Sequence, residues 1–184
     1  MGIAHHDVGG PRLETPRLLL RRWTARDVSP MADFQADPEV MCWIGTGTTR
    51  TTEETRTAIA RWEEDWKTRG FGLFAVEMRE TGALAGFTGL AVPTFLPEIM
   101  PAVEIGWRLG RPFWGRGIAT EAATAVLRFA LQDVGMRKVV SIAQVGNTAS
   151  ERVMQKLGLA LDRETFDPSC GRPVRVYAIA RELF

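Results

Sequence analysis

The sequence predicts an α+β domain: a mixed, mostly antiparallel central sheet of about seven strands with flanking helices. Three observations carry this. Residues 72–78 (GLFAVEM) and 83–92 (ALAGFTGLAV) are β-rich runs joined by the turn signal RETG, which reads as an antiparallel hairpin. Residues 103–109 (VEIGWRL) and 138–145 (KVVSIAQV) flank a helical stretch, giving one strand–helix–strand crossover. A further helix and a closing pair of strands end the chain.

Taken in order, RLLLRRW (17–23) reads as a buried first strand. Thr24 to Ala36 has a helical pattern with Met31 and Phe34 on one face, and Asp37-Pro38 stops it. PEVMCWIGTG (38–47) is an irregular apolar segment. Residues 51–70 form a helix that Thr52 can cap; Ile59, Trp62 and Trp66 make its apolar stripe and Gly70 ends it. The hairpin follows, then a Pro-rich apolar loop, PTFLPEIMPA (93–102). On strand 103–109, Val103, Ile105, Trp107 and Leu109 face one way, while Glu104, Gly106 and Arg108 face the other. A helix runs from about Ile118 to Val134. After strand 138–145 come the helix NTASERVMQKLG (147–158) and the strands ALDRETF (160–166) and PVRVYAIARELF (173–184).

A chain of 184 residues suits one domain with a sizeable core, assigned here to 14–184, with 1–13 as a flexible leader. Net charge is +1, so no bulk field draws nucleic acid or an anionic membrane, and neither is expected as a partner. No apolar run reaches the ~18 residues of a membrane span, and residues 1–14 lack a signal-peptide core, so a cytoplasmic location is expected. Cys42 and Cys170 should then be reduced. His5 and His6, the only histidines, lie in the leader. Ser-His-Asp and Cys-His chemistry both need a histidine in the folded body, and a zinc site needs clustered ligands. No metal is expected.

The stretch RPFWGRGIATEAATAVLRFAL (111–131) places Gly115 and Gly117 at the start of a helix. The first amides of a helix lack internal partners, and its dipole adds partial positive charge there. Glycines let an anion approach such amides closely, Arg111 and Arg116 can add charge-assisted contacts, and Thr120 can donate a hydroxyl. A plain turn fits the same residues. A P-loop would need Gly-Lys-Ser/Thr, which is absent. A dinucleotide fingerprint would need a third glycine at Thr120 and no intervening Gly110 to Trp114.

Together with TPRLLLRRW, EIGWRL, NTAS and KLG, this loop resembles the GNAT acetyltransferase superfamily, above all its ribosomal-protein N-terminal acetyltransferase (Rim-type) branch. The signature Gln/Arg-x-x-Gly-x-Gly/Ala falls on Trp114, Gly115, Arg116, Gly117, Ile118 and Ala119, with Trp114 in place of the usual Gln or Arg. The resemblance implies acetyl-CoA as acetyl donor, its pyrophosphate on the amides of Gly115 to Thr120. It implies a pantetheine arm along Trp107, Arg108 and Leu109, where the fourth and fifth strands of the seven splay around the coenzyme. Asn147 is an implied coenzyme contact as well as a good helix cap. Many members carry a tyrosine seven residues after this asparagine as the acid for the departing thiolate. Met154 stands there, so Ser150 is the nearest replacement, although it also suits a first helical turn. Family members often dimerise, so a homodimer is one arrangement to expect.

The implied reaction moves acetyl directly to a primary amine, on a protein N-terminus or a small molecule. The amine attacks only when neutral, and with a pKa of about 8 to 10 it needs a base or a water chain to one. Glu104, flanked by Val103 and Ile105, is the candidate base; an outward residue paired with Arg108 is the competing reading. Glu121 suits the helix dipole instead. The acceptor site is expected where the 38–47 segment, the Trp62/Trp66 helix and the 93–102 loop converge, with Trp43, Phe95 and Met100 as walls. Two further readings stand beside this enzyme: a non-catalytic acyl-CoA-binding module, motivated by Met154, and a binder of other phosphates at the same helix start.

Overall fold

The computed structural model describes residues 10–184. Eight strands form one sheet in the order β1-β2-β3-β4-β5-β6-β8-β7. They are β1 (Leu13–Glu14), β2 (Leu18–Arg21), β3 (Leu73–Met78), β4 (Leu84–Ala91), β5 (Glu104–Leu109), β6 (Lys138–Gln144), β7 (Ala160–Phe166) and β8 (Pro173–Ala180). Every pairing is antiparallel except β5 with β6. The helices are α1 (Val28–Gln35), α2 (Pro38–Met41), α3 (Thr52–Arg69), α4 (Ile118–Arg128) and α5 (Thr148–Lys156). This is the expected mixed α+β sheet.

The eighth strand is β1, which sequence reasoning missed. Two residues carry no alternation to read, and their pairing with Leu19 and Leu20 is set by the turn before β2. Leu13 is buried in that pairing, so the boundary of the expected 1–13 leader falls inside a strand. Residues 1–9 of that leader, with His5 and His6, lie outside the described residues.

Side-chain alternation on β3 divides the core. Phe74 and Val76 join the larger cluster with Ile118, Ala122, Val126 and Leu127 of α4. Leu73 and Ala75 join a second cluster with Met31 of α1 and Ile59 and Trp62 of α3. The α3 stripe is therefore core. The Trp62 ring lies 5.2 Å from Trp23 and the Trp66 ring 4.6 Å from Phe74.

Three boundaries differ from the sequence reading for local reasons. Thr51, not Thr52, caps α3: its hydroxyl accepts from Glu54 N–H (3.2 Å), and the Glu54 carboxylate accepts from Thr51 N–H (2.7 Å). Asp37-Pro38 ends α1 and also starts α2, because Asp37 caps it and proline suits a first helical position. The last strand stops at Ala180, and Arg181–Leu183 forms a 3-10 turn.

Candidate active site

The sheet opens between β5 and β6, the fourth and fifth strands of the sequence reading. They share one paired position, Glu104 opposite Val140. Val140 N–H donates to Val103 O at 3.0 Å. Two residues on, Ile105 O accepts from the Ser141 hydroxyl at 2.8 Å, a side chain standing in for the ladder where the strands part. Backbone groups alternate sides along a strand. Val103 and Ile105 turn theirs toward β6, and Gly110 N–H turns the other way to Ala85 of β4 at 3.0 Å. By that alternation Trp107 presents its amide to the gap, beyond the last pair.

A cavity of about 350 Å³ fills the opening. It brings together Glu104, Trp107, Arg108, Asn147 and Ser150 with Trp43 and Phe95 from the two irregular apolar segments. A side chain at Gly106 would meet nothing within 4 Å, so the glycine leaves the β5 floor open. Met100 is not part of the lining. On that loop Leu96 is the inward anchor, packed with Val140, Val174 and Val176, and Met100 stays 39% exposed. Trp62 and Trp66, buried in the core, do not line the cavity either.

Glu104 opens onto this cavity, yet protein surrounds its carboxyl. Burial pushes the carboxyl up to about 8, against the Ile142 backbone amide, which favours the charged form. The competing ion pair with Arg108 does not form among the described residues. Four residues of strand rise separate the two by about 13 Å. Arg108 lies instead over the Phe87 ring, 5.1 Å from its centre.

Asn147 caps α5, its side-chain oxygen accepting from Ser150 N–H at 3.2 Å. That cap aims the first turn of α5, and with it the Ser150 side chain, at the cavity. Met154, one turn on, is fully buried in the main core. The chain's one tyrosine, Tyr177, donates to Glu151 at 3.0 Å and does not line the cavity. Burial, then the Glu151 carboxylate, raise the Tyr177 hydroxyl above its ordinary value.

The wall carrying Trp43 is tied down by residues that sequence reasoning missed. Arg172 donates to Cys42 O (3.0 Å), Thr46 O (2.8 Å) and Gln144 Oε1 (2.9 Å), and Gln144 Nε2 donates to Gly45 O (2.7 Å). These contacts join three distant segments, around residues 42–46, Gln144 and Arg172, so no local pattern announces them.

The glycine loop lies at the head of α4, outside the cavity lining. Gly115 and Gly117 have φ of 69° and 75°, the left-handed region that favours glycine. A side chain at Gly115 would meet nothing within 4 Å. The first helical bond of α4 is Glu121 N–H to Gly117 O at 3.0 Å, so the amides of Ile118, Ala119 and Thr120 precede the ladder, and no side chain caps this end. Two side chains of the loop are already engaged within the protein. Trp114 spends its indole N–H on Leu109 O (2.8 Å), tying the loop to β5 rather than offering that donor to an anion. Arg111 pairs with Asp37 and remains exposed, which leaves Arg116 as the loop arginine with no carboxylate partner among the described residues. A missed residue, Arg17, bridges Arg116 O (3.0 Å) and the Glu121 carboxylate (2.6 Å). Burial raises the Glu121 carboxyl, but bonds from Thr15 and Arg17 outweigh it and hold it below its ordinary value. Glu121 is thus a brace for the loop, as its helix position suggests.

The fold and the open parallel pair are those of an acetyltransferase, and comparison with known proteins agrees. Residues 17–160 match the family model of the acetyltransferase (GNAT) domain, so the chain belongs to that family. It is 29% identical over 160 residues to the uncharacterised N-acetyltransferase YnaD of Bacillus subtilis, covering 86% of each chain. It is 32% identical over 155 residues to FsC-acetyl coenzyme A-N(2)-transacetylase of Aspergillus fumigatus, covering 81% of this chain and 65% of that one. An acetyltransferase structure from Agrobacterium tumefaciens matches with a TM-score of 0.76 and 28% identity, over 96% of this chain and 99% of the other. Two solved ribosomal-protein acetyltransferases, RimL and the S5-alanine enzyme of Vibrio fischeri, match at 18% and 14% identity, a likeness of fold alone. No helix among the described residues is long and apolar enough to cross a membrane.

Proposed function

We propose that this acetyltransferase is an acetyl-CoA-dependent N-acetyltransferase acting directly on a primary amine. The observation that carries the reading is the Glu104 carboxyl at the open β5–β6 pair, lining one cavity with Ser150. The loop fits a coenzyme: uncapped helix amides, two left-handed glycines and open space at Gly115 suit a pyrophosphate. Asn147, at the start of α5, is a further coenzyme contact in this reading. Bound acetyl-CoA supplies the acetyl group as a thioester.

The protein's own residues do the rest. Glu104 takes the proton that the attacking amine must lose, and a carboxyl titrating near 8 is well matched to an amine at neutral pH. The Trp107 amide is the donor available to a carbonyl oxygen in the gap. Ser150 donates its hydroxyl to the departing sulfur. A thiol of pKa about 8.5 leaves readily, so a weak donor suffices where other members use tyrosine. Trp43 and Phe95 hold the acceptor. Two free thiols, Cys42 and Cys170, support a cytoplasmic setting. The Rim-type branch is a finer reading. A cavity of about 350 Å³ favours small amines over a folded ribosomal protein.

The test is release of coenzyme A thiol from acetyl-CoA with a panel of N-terminal peptides and small amines. Turnover on at least one amine is expected, with acetyl-CoA binding seen by calorimetry. Absence of coenzyme binding sinks the reading. A second reading, a non-catalytic acyl-CoA-binding module, draws on buried Met154 and on Tyr177 lying elsewhere. Coenzyme binding with no turnover on any amine selects it.

A further inference from the structure

The cavity holds a charge that the chemistry above does not use. Nε and Nη1 of Arg108 are buried and have no hydrogen-bond partner among the described residues. A buried cation normally gains a carboxylate or several carbonyls, because leaving it unpaired is costly. The Phe87 face beneath it is favourable, but the charges around it make matters worse. Burial, then the neighbouring Arg50 cation, push the Arg108 guanidinium down to about 9, and it still carries its charge at neutral pH. Arg50 is itself lowered by burial and by Arg61, with Glu54 alone opposing. Glu54 in turn is engaged in capping α3. The backbone N–H of Arg50 donates to Gln35 O at 2.9 Å, and Gln35 Nε2 is a further buried donor without a partner. Positive charge thus gathers around the Arg108 end of the cavity, with Arg50 behind it and outside the lining, while Glu104 lies at the other end of β5.

We propose that the acceptor amine carries a carboxylate, and that Arg108 is the residue that binds it, with Arg50 adding charge. Arginine's planar fork matches a carboxylate with two parallel hydrogen bonds, which favours this group over a bulkier anion in so small a cavity. The acceptor class is therefore an amine that carries its carboxylate several bonds away, on a chain long enough to place the nitrogen toward Glu104 and the acid toward Arg108 at the two ends of β5. This rests on the N-acetyltransferase reading but is tested apart from it.

Two measurements decide it. In the first, calorimetry compares N-acetyl ω-amino acids of increasing chain length with their carboxamides on coenzyme A-loaded protein, a readout that needs no turnover. The acids should bind at least tenfold tighter, and Arg108→Met should erase the difference while coenzyme A affinity holds, because a pantetheine arm along this strand edge meets the backbone of Arg108 and not its guanidinium. Equal binding of acid and amide, or no binding of either, overturns the proposal. So does a coenzyme A affinity that falls tenfold in Arg108→Met, which would assign the guanidinium to a coenzyme phosphate. In the second, thermal unfolding of ligand-free Arg108→Met should show a melting temperature equal to or above the parent's, because an unpaired charge is removed. A clear drop would mark Arg108 as a structural residue. Turnover of ω-amino acids over their amides, lost in Arg108→Met, is the corresponding kinetic result. If coenzyme binds and nothing turns over, the calorimetric comparison still stands.

Discussion

At the level of single residues, Glu104 makes two predictions from one cause. Its carboxyl is raised from 4.5 to about 8 by burial, so between these values the folded state holds a proton that the unfolded chain has lost. Folding stability contributed by this group is therefore present at low pH and declines as pH rises through that window. Glu104→Gln removes the decline: at pH 9 the variant should melt above the parent, and at pH 4 the two should converge. Thermal scans across pH check this without any substrate. As a base, Glu104 works only once ionised, so kcat/KM should climb with pH toward about 8, and Glu104→Gln should lower it about 10²- to 10⁴-fold. A variant that keeps full activity removes Glu104 from the mechanism. The sequence could name Glu104, since its flanking apolar residues mark a strand that buries one face. It could not show the Phe87 ring that holds the Arg108 guanidinium away from it. Strand rise already parts residues four apart, whereas the packing of Phe87 beneath the guanidinium needs the folded sheet.

Secondary-structure elements were legible wherever the signal is local. The two glycines before α4 marked a loop at a helix start, and both adopt left-handed backbone there. Gly115→Ala meets no neighbour, so its cost is the backbone's alone, about 1–2 kcal/mol for a left-handed alanine. The expected outcome is a modest loss of stability in urea titration together with weaker acetyl-CoA binding, because the loop amides turn away. Unchanged coenzyme affinity would remove the loop from the site. The cap of α3 shows the limit of local reading. Thr51 and Thr52 are both good caps in composition, and only the reach of Glu54 back to the Thr51 amide chooses between them. Thr51→Ala should cost about 1 kcal/mol, and Thr52→Ala much less. The role of Trp114 was out of reach for the same kind of reason, since its N–H partner, Leu109 O, becomes a neighbour only after the chain turns through Arg111–Phe113.

Across the whole molecule, the site depends on contacts between segments far apart in sequence. The crossover that makes β5 and β6 parallel could be read from strand, helix and strand in succession. That the pair opens after one position could be read only through a family resemblance, because the stand-in bond from Ser141 to Ile105 has no sequence signature. The Arg172 strap is a stronger case. One guanidinium from the turn before β8 holds Cys42 O and Thr46 O on either side of Trp43, and Gln144 at the end of β6 completes the frame. Trp43 is 41% exposed and lies over Gly146, so little besides this frame fixes its wall. None of these contacts touches the glycine loop. Arg172→Ala should therefore raise KM for the acceptor several-fold, leave the calorimetric affinity for acetyl-CoA within twofold, and increase proteolytic nicking between residues 42 and 47. Arg172→Lys, which keeps the charge but cannot reach three acceptors from one planar group, should rescue little. An acceptor KM unchanged in Arg172→Ala, with the segment as resistant to protease as before, would show that the wall stands without the strap.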